Sequence, residues 1–229
     1  MIKINKAHLK IEGDYPKNPN AVSYFLECRK ANERLFDGRI FILKEMAIKD
    51  RMVEMSLFKG SYSDFLYNNI SEEKVQPIGV DVLLETKDNY YLLCKMADWT
   101  YTAGKIKTVG GNMDEEDEGS SLDPSNTAVR EIKEELGMDY SKEDLKLRYL
   151  YSNPSGFVSL AFQGKLEISR IEAENIFYKW KERDLEKELE SLYFLKKDRK
   201  SIEDFLKSGV KTTRFLKELL SEILKDKEM

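Results

Sequence analysis

One segment, residues 123–137, carries the signals of a helix from start to end. Asp123 is a good capping residue, Pro124 suits the first helical position, and Gly137 is typical of the residue that follows a helix. At helical spacing, one face carries the apolar residues Ala128, Val129, Ile132 and Leu136. The opposite face carries Glu131, Glu134 and Glu135, within an arc of roughly 100°. The segment therefore predicts an amphipathic helix with an acidic face.

Two interpretations of this acidic face are open. Carboxylates at positions i, i+3 and i+4 repel one another unless a cation lies between them. Their hard oxygen donors suit Mg²⁺ or Mn²⁺, which retain waters and bridge to phosphate oxygens. Solvated acidic faces are also common on surface helices, so Glu131, Glu134 and Glu135 alone favour that simpler interpretation.

Paired apolar runs predict a sheet around this helix. Residues 78–86 and 89–96 are rich in β-branched and aromatic residues and are split by Lys87-Asp88, which predicts adjacent strands. Residues 145–153 and 156–168 follow the helix and predict two further strands.

Residues 1–70 form a first section with elements of their own. A helix is predicted from Asn18-Pro19, with Val22, Phe25 and Leu26 on one face. A β-hairpin is predicted from 39–48 and 51–60, and a short helix over 61–69. We expect this section to be an extension packed on a core domain of residues 71–229 rather than an independent domain.

The last section is predicted to be mostly helical. Ser169 and Glu172 form a capping box before the apolar positions Ile171, Ile176, Phe177 and Trp180. A short strand is predicted over 191–195. An amphipathic helix is predicted over 212–227, with Phe215, Leu216, Leu219, Leu220 and Leu224 as its core face.

Composition narrows the function classes. The 229 residues are 41% hydrophobic and 11% aromatic, enough to bury a sizeable core. The formal net charge is only −4, so nucleic acid is not an expected partner. No signal-like segment or membrane span is visible, which predicts a cytoplasmic protein without a membrane partner.

Cysteine and histidine contribute little to any predicted site. Cys28 and Cys94 are the only cysteines, and both are expected to be reduced, buried thiols. His8 is the only histidine, so zinc sites and imidazole-based catalysis are not expected.

With Gly110-Gly111 upstream, the run from Arg130 to Met138 resembles the signature of the Nudix hydrolases, and its second half matches at every specified position. The resemblance covers about 75–200. It implies an α/β fold, an α/β/α sandwich with a mixed sheet, and hydrolysis of a phosphoanhydride with Mg²⁺ or Mn²⁺. By the same resemblance, Glu131, Glu134, Glu135 and the carbonyl of Gly110 would bind metal, and Arg130 would orient the helix.

The first half of the signature departs from the family pattern. Eighteen residues separate Gly111 from Arg130, where the family has thirteen, and Leu122 stands where a glutamate is expected. The inserted loop is acidic, with Asp114, Glu115, Glu116, Asp117 and Glu118. One of them, with Glu118 as our choice, could replace the missing glutamate, or the loop is simply charged.

The resemblance also bears on the substrate. Residues 32–39 and 61–66 are faintly similar to the branch related to UDP-glucose pyrophosphatase, which implies a nucleotide sugar such as UDP-glucose or ADP-ribose. Trp99 and Tyr101 could stack on a base or sugar. The general base would be Glu134 or Glu188. The main alternative is a non-catalytic nucleotide-binding module, and a homodimer is an expectation from analogy alone.

Overall fold

The computed structural model describes residues 1–100, 102–113, 122–153, 156–183 and 188–226. Within these ranges the strands are β1 Ile2–Lys3, β2 Lys6–Asp14, β3 Arg39–Lys49, β4 Met52–Ser61, β5 Ile78–Glu85, β6 Tyr90–Met96, β7 Ile106–Lys107, β8 Lys146–Ser152, β9 Val158–Lys165 and β10 Leu189–Lys196. The helices are α1 Pro19–Ala31, α2 Tyr62–Tyr67, α3 Pro124–Leu136, α4 Arg170–Lys181, α5 Arg199–Lys207 and α6 Arg214–Ile223.

The larger sheet is mixed. Its strand order is β1-β8-β9-β5-β6-β10, and β7 pairs with β6. The central strands β5 and β9 run parallel from Ile78↔Val158 to Glu85↔Lys165, whereas the other pairings in this sheet are antiparallel. The strands predicted over 78–86, 89–96, 145–153 and 191–195 are all confirmed, and the one predicted over 156–168 is shorter than expected.

Helices cover both faces of this sheet. One face of β5, including Val80 and Val82, packs in a buried cluster with α3 and α4. The opposite face, including Leu83, packs in a second buried cluster with α5 and α6. A sheet whose successive residues are buried on alternate sides requires cover on both sides. The molecule is therefore an α/β/α sandwich with a mixed sheet, as predicted.

The sheet divides between β5 and β6, and this division positions the candidate site. The two strands pair directly only at Leu84↔Leu92 and Glu85↔Tyr91. Residues 106–113, which we call the wedge segment, fill the gap beyond. Its start pairs with β6 as β7, and its end pairs with β5, where Val80 N donates to Gly111 O at 2.9 Å. The glycines are thus held in the middle of the sheet.

The N-terminal section forms a second sheet of order β2-β4-β3. The predicted hairpin is confirmed as the antiparallel pair β3 and β4. Strand β2 was not predicted, and it lies parallel to β4. The first strand, β1, instead pairs with β8 in the larger sheet. The predicted boundary at residue 70 stays a prediction.

Two predicted helix faces are wrong in part. In α1, Phe25 is buried as expected, but Val22 and Leu26 are 48% and 53% exposed. The buried residues of α1 are Ala21 and Phe25, which lie four positions apart on one face of the helix, and α1 contacts the short helix α2.

The same holds for α4. Its capping box is confirmed, but its buried residues are Ala173 and Phe177, whereas Ile171 is 63% exposed and Ile176 is 36% exposed. The face predicted for the last helix is confirmed in α6, where Phe215, Leu216, Leu219 and Leu220 are buried.

Both cysteines are free thiols, as predicted. Cys94 is fully buried, but Cys28 is only partly buried, so the prediction of two buried thiols is half right. Among the helices described above, none is both long enough and apolar enough to cross a membrane.

Candidate active site

Helix α3 presents its carboxylates to the wedge segment because both of its ends and its apolar face are fixed. The Asp123 side chain accepts a hydrogen bond from Ser125 N at 2.9 Å, and Gly137 adopts a left-handed conformation with φ of 70°. Ala128, Ile132 and Leu136 are fully buried in the core beneath the sheet. The predicted helix is therefore confirmed, with its acidic face toward Gly110 and Gly111.

Glu131 is one of the two α3 glutamates whose side chains are largely buried. Its carboxylate lies against Gly111 so closely that a Cβ added there would come within 2.5 Å of it. Burial, followed by the charge of Glu135, raises the pKa of Glu131 to about 8, although Arg130 and Lys107 act in the opposite direction. Arg130 Nη1 donates to Glu131 Oε1 at 3.1 Å. Without a metal, this environment therefore disfavours the charged form of Glu131.

Glu135 is tied to the wedge segment at two points. Its Oε2 accepts a hydrogen bond from Gly110 N at 3.0 Å, and its Oε1 lies 2.8 Å from Lys107 Nζ. Burial alone would lower the pKa of Lys107, but the charge and hydrogen bond of Glu135 raise it overall. Lys107 is therefore a charged ammonium in this site.

Glu134 points toward solvent, with 54% of its side chain exposed, and accepts a hydrogen bond from Arg130 Nη1 at 2.9 Å. Arg130 Nη2 also donates to Asn112 O at 3.1 Å. Arg130 thus joins two of the glutamates to the end of the wedge segment, which fits the orienting role that the resemblance implies.

The three glutamates share one cavity of about 340 Å³, which we call the carboxylate cavity. Its other lining residues are Lys107, Gly110, Gly111, Asn112, Glu188 and Leu189. Both residues proposed as general base, Glu134 and Glu188, therefore border the same space.

The donor set fits a hard divalent cation, because carboxylate oxygens are the ligands that Mg²⁺ and Mn²⁺ prefer. Within the described residues, however, no three His, Cys, Asp or Glu side chains are grouped closely enough to hold one ion. Each glutamate instead contacts Arg130 or Lys107, and the carbonyl of Gly110 accepts a hydrogen bond from Lys107 Nζ at 2.7 Å. A bound cation would replace part of these contacts.

Leu122, at the position of the expected glutamate, is buried in the apolar core and 8% exposed. Its environment explains why an apolar residue is accommodated there. Arg130 pairs with Glu131 and Glu134. The acidic residues 114–118, including Glu118, lie outside the described residues.

Trp99 lies in a different cavity, of about 830 Å³, between the N-terminal section and the larger sheet. The guanidinium of Arg34 stacks over its ring at 4.8 Å. Glu188 borders both this cavity and the carboxylate cavity. Tyr101 lies outside the described residues.

Sequence reasoning missed two charged residues of this region, Lys107 and Asp81. Asp81 lies in β5, where Ser159 Oγ donates to its Oδ2 at 2.6 Å and Thr108 Oγ1 donates to its Oδ1. Burial raises the pKa of Asp81 to about 6. A signal existed only for Asp81, the single charged residue within the apolar run before Glu85, whereas Lys107 lies in the mixed sequence GKIKTV and gave none.

No family model matches the chain, and no curated protein does. Among solved structures, the chain is similar to a MutT/nudix family protein from Enterococcus faecalis, with 14% identity and a TM-score of 0.39, covering 56% of this chain and 46% of that one. A NUDIX hydrolase from Nitrosomonas europaea is 21% identical, with a TM-score of 0.42, over 63% of this chain and 85% of that one. A MutT protein from Methanosarcina mazei Go1 is 15% identical, with a TM-score of 0.46, over 69% of this chain and 100% of that one. At these identities and TM-scores, the likenesses assign no activity to the chain.

Proposed function

We propose that the protein is a divalent-metal-dependent hydrolase that cleaves the pyrophosphate of a nucleoside-diphosphate-linked compound, such as a nucleotide sugar. The observation that carries the proposal is the carboxylate cavity, where Glu131 and Glu135 are buried against the two wedge glycines beside Glu134. Three neighbouring carboxylates, two of them buried, offer the hard oxygen ligands that Mg²⁺ and Mn²⁺ prefer.

The residues of the cavity have separable tasks in this proposal. Glu131, Glu134 and Glu135 would hold the cation. Arg130 would fix the position of α3 through its hydrogen bond to the carbonyl oxygen of Asn112. A cation bound beside Glu135 would release Lys107, which also borders the cavity, to contact a phosphate there. A cation so bound supplies Lewis-acid polarisation of phosphoryl oxygens and lowers the pKa of a bound water.

The attacking water also needs a base, and the cavity offers two. Glu134 is largely solvent-accessible, and Glu188 lies at the border with the Trp99 cavity. If Glu188 is the base, Glu188→Gln should lower kcat without weakening the stabilisation of the protein by Mn²⁺. If Glu134 has both roles, Glu134→Gln should lower both.

The test is product release with and without Mg²⁺ or Mn²⁺ across UDP-, GDP- and ADP-linked sugars, ADP-ribose, dinucleoside polyphosphates and nucleoside triphosphates. We expect metal-dependent cleavage of one substrate class and a loss of activity in Glu134→Gln of about 100-fold or more. The matched control is Glu174→Gln, an exposed glutamate on α4, which should keep full activity. Full activity in Glu134→Gln would refute the assigned site.

A second function, nucleotide binding without cleavage, is favoured by one observation. Leu122 supplies no carboxylate, and the Gly110 carbonyl, a proposed metal ligand, is bonded to Lys107. In a binding module, the protein would retain nucleotide affinity while no substrate in the panel is cleaved with either metal.

A further inference from the structure

A third cavity, of about 450 Å³, lies on the other side of the wedge segment. We call it the aromatic cavity, because its walls include Tyr62 and Phe65 of α2, Phe157, and Phe215 of α6. Its volume is within the range of small-molecule sites, roughly 300–1,000 Å³. The function proposed above assigns nothing to this space.

The aromatic and carboxylate cavities share a wall. Both are bordered by Lys107, Gly110, Gly111 and Asn112. A ligand that spans this wall can therefore place one end near the glutamates and the other end in the aromatic cavity. Lys107 borders both spaces, and a phosphate at the junction would contact its ammonium once that ammonium leaves Glu135.

Many residues in the walls of the aromatic cavity are polar, and among the described residues that line it Asp81 is the one acidic residue. Asp81 borders it, and its two oxygens each accept one hydroxyl hydrogen bond, from Thr108 and from Ser159. A carboxylate has about four acceptor sites, so one further site remains on each oxygen. These two sites are side by side on one group whose orientation is fixed by its hydroxyl partners.

A second polar group in this cavity is weakly partnered. Tyr151 is 1% exposed and borders the cavity, and within the described part of the chain its hydroxyl makes no hydrogen bond of ordinary geometry. Burial raises the pKa of this hydroxyl, and a weak hydrogen bond with the Asn153 side chain acts in the opposite direction. Buried hydroxyls usually make a well-formed hydrogen bond, so this one has capacity left for a ligand or a water.

We propose that the aromatic cavity binds the base of a nucleotide and that Asp81 accepts hydrogen bonds from adjacent N–H groups on the base edge. Flat aromatic walls favour a ring with a π-face over a sugar. Among the common bases, guanine presents two adjacent donors, its N1–H and its 2-amino group. This inference rests on the proposed function for the ligand class, and it predicts guanine as the preferred base.

The experiment measures binding of GMP, IMP, AMP and UMP by calorimetry without metal, so that it does not depend on cleavage. IMP lacks only the 2-amino group. We expect GMP to bind roughly tenfold or more tightly than IMP, as the loss of one hydrogen bond to a carboxylate predicts. In Asp81→Asn, the GMP preference should vanish, whereas Asp204→Asn, an exposed control on α5, should retain it.

Tyr151→Phe keeps the test valid if Asp81→Asn folds poorly. Within the described residues its hydroxyl has only a weak hydrogen bond with Asn153 to lose, so the melting temperature should change little while GMP affinity falls several-fold. Equal affinities for the four nucleotides, or unchanged GMP affinity in both variants, would overturn the inference.

The two proposals fail in distinguishable ways. If the wild-type protein cleaves nothing but binds GMP through Asp81, the hydrolase proposal fails and the base cavity stands. If the protein cleaves nucleotide sugars without regard to their base, and Asp81→Asn binds and cleaves like the wild type, only the base cavity fails.

Discussion

Lys107 Nζ and Glu135 Oε1 lie 2.8 Å apart, in an ion pair whose side chains are only 15% and 8% exposed. The same ammonium donates to the Gly110 carbonyl at 2.7 Å. A cation of the protein thus occupies the charge position that a divalent metal would take beside Glu135. Metal binding and the position of Lys107 should therefore be coupled.

Replacing Lys107 tests this coupling. Lys107→Met leaves Glu135 buried beside Glu131 without its cation, and the loss of one partner of a buried pair costs about 3–5 kcal/mol. Urea unfolding without metal should show this loss. Millimolar Mn²⁺ should restore more stability to the variant than it adds to the wild type, by mass action on the folded state.

The matched control is Lys95→Met. Lys95 also lies 2.8 Å from a glutamate, Glu190, but their side chains are 39% and 46% exposed. An exposed pair contributes about 0–1 kcal/mol. Equal losses in the two variants would contradict the importance of burial in the Lys107 pair.

The two wedge glycines should respond differently to alanine. Gly110 has φ of 144°, and an added Cβ would lie 2.1 Å from the backbone oxygen of Val80. Backbone cannot move aside cheaply, so Gly110→Ala should lose about 3 kcal/mol or more of stability. An added Cβ at Gly111 meets only the Glu131 carboxylate, at 2.5 Å.

Gly111→Ala should therefore keep the fold and displace Glu131. The expected result is a melting temperature close to that of the wild type without metal, and a reduced upward shift on adding Mn²⁺. Thermal unfolding with and without Mn²⁺ measures both quantities. A full Mn²⁺ shift in Gly111→Ala would show that Glu131 is not a ligand.

Asp81 should make stability depend on pH. Burial raises its pKa from 3.8 to about 6 in the folded protein, and the charge of Glu135 adds to this, against Ser159, Thr108 and Lys107. Between about pH 4 and 6, the folded state then binds a proton that the unfolded chain has released. The free energy of unfolding should consequently fall as pH rises through this window, by on the order of 3 kcal/mol.

Asp81→Asn should remove the Asp81 contribution and so make this fall smaller, as measured by urea unfolding from pH 4 to 7. Glu131, whose pKa is also raised, contributes to the slope in both proteins and extends it to about pH 8. An identical slope in the wild type and the variant would refute a raised pKa at Asp81.

Trp180 secures the C-terminal end of α3. Its Nε1 donates to the carbonyl oxygen of Glu134 at 2.8 Å, and its ring packs on Gly137, where a Cβ would come within 2.4 Å. Trp180→Phe keeps most of the ring contact but loses the hydrogen bond, so it should cost about 1 kcal/mol in urea unfolding. A loss below about 0.3 kcal/mol would show that solvent replaces this bond without cost.

The boundaries of α3 were predictable because helix capping depends on residues at the helix ends, here Asp123, Pro124 and Gly137. Strand β2 was not predicted although Ala7, Leu9 and Ile11 alternate with polar residues, since its parallel partner β4 is distant in sequence and the pairing is a tertiary contact. The exposed Val22 and Leu26 show a related limit. Helical spacing identifies a candidate face, but the size of the neighbouring element decides how much of it is buried.

The candidate site was likewise predicted only in part. The acidic face of α3 followed from spacing, but the burial of Glu131 depends on the approach of Gly111 across the divided sheet. Lys107 and Asp81 become neighbours of the site only through strand pairing with β6 and β5. Those contacts are tertiary, and no local pattern encodes them.

The wedge segment sends consecutive side chains to opposite faces of the sheet, as an extended chain must. Lys107 reaches Glu135 on one side, and Thr108 reaches Asp81 on the other. Substitutions in the wedge segment would therefore affect the carboxylate cavity and the aromatic cavity together. Substitutions of Tyr62 or Phe215, which lie on separate helices, would change the walls of the aromatic cavity but not those of the carboxylate cavity. A related protein could therefore differ in the ligand that its aromatic cavity binds and still keep the same three glutamates.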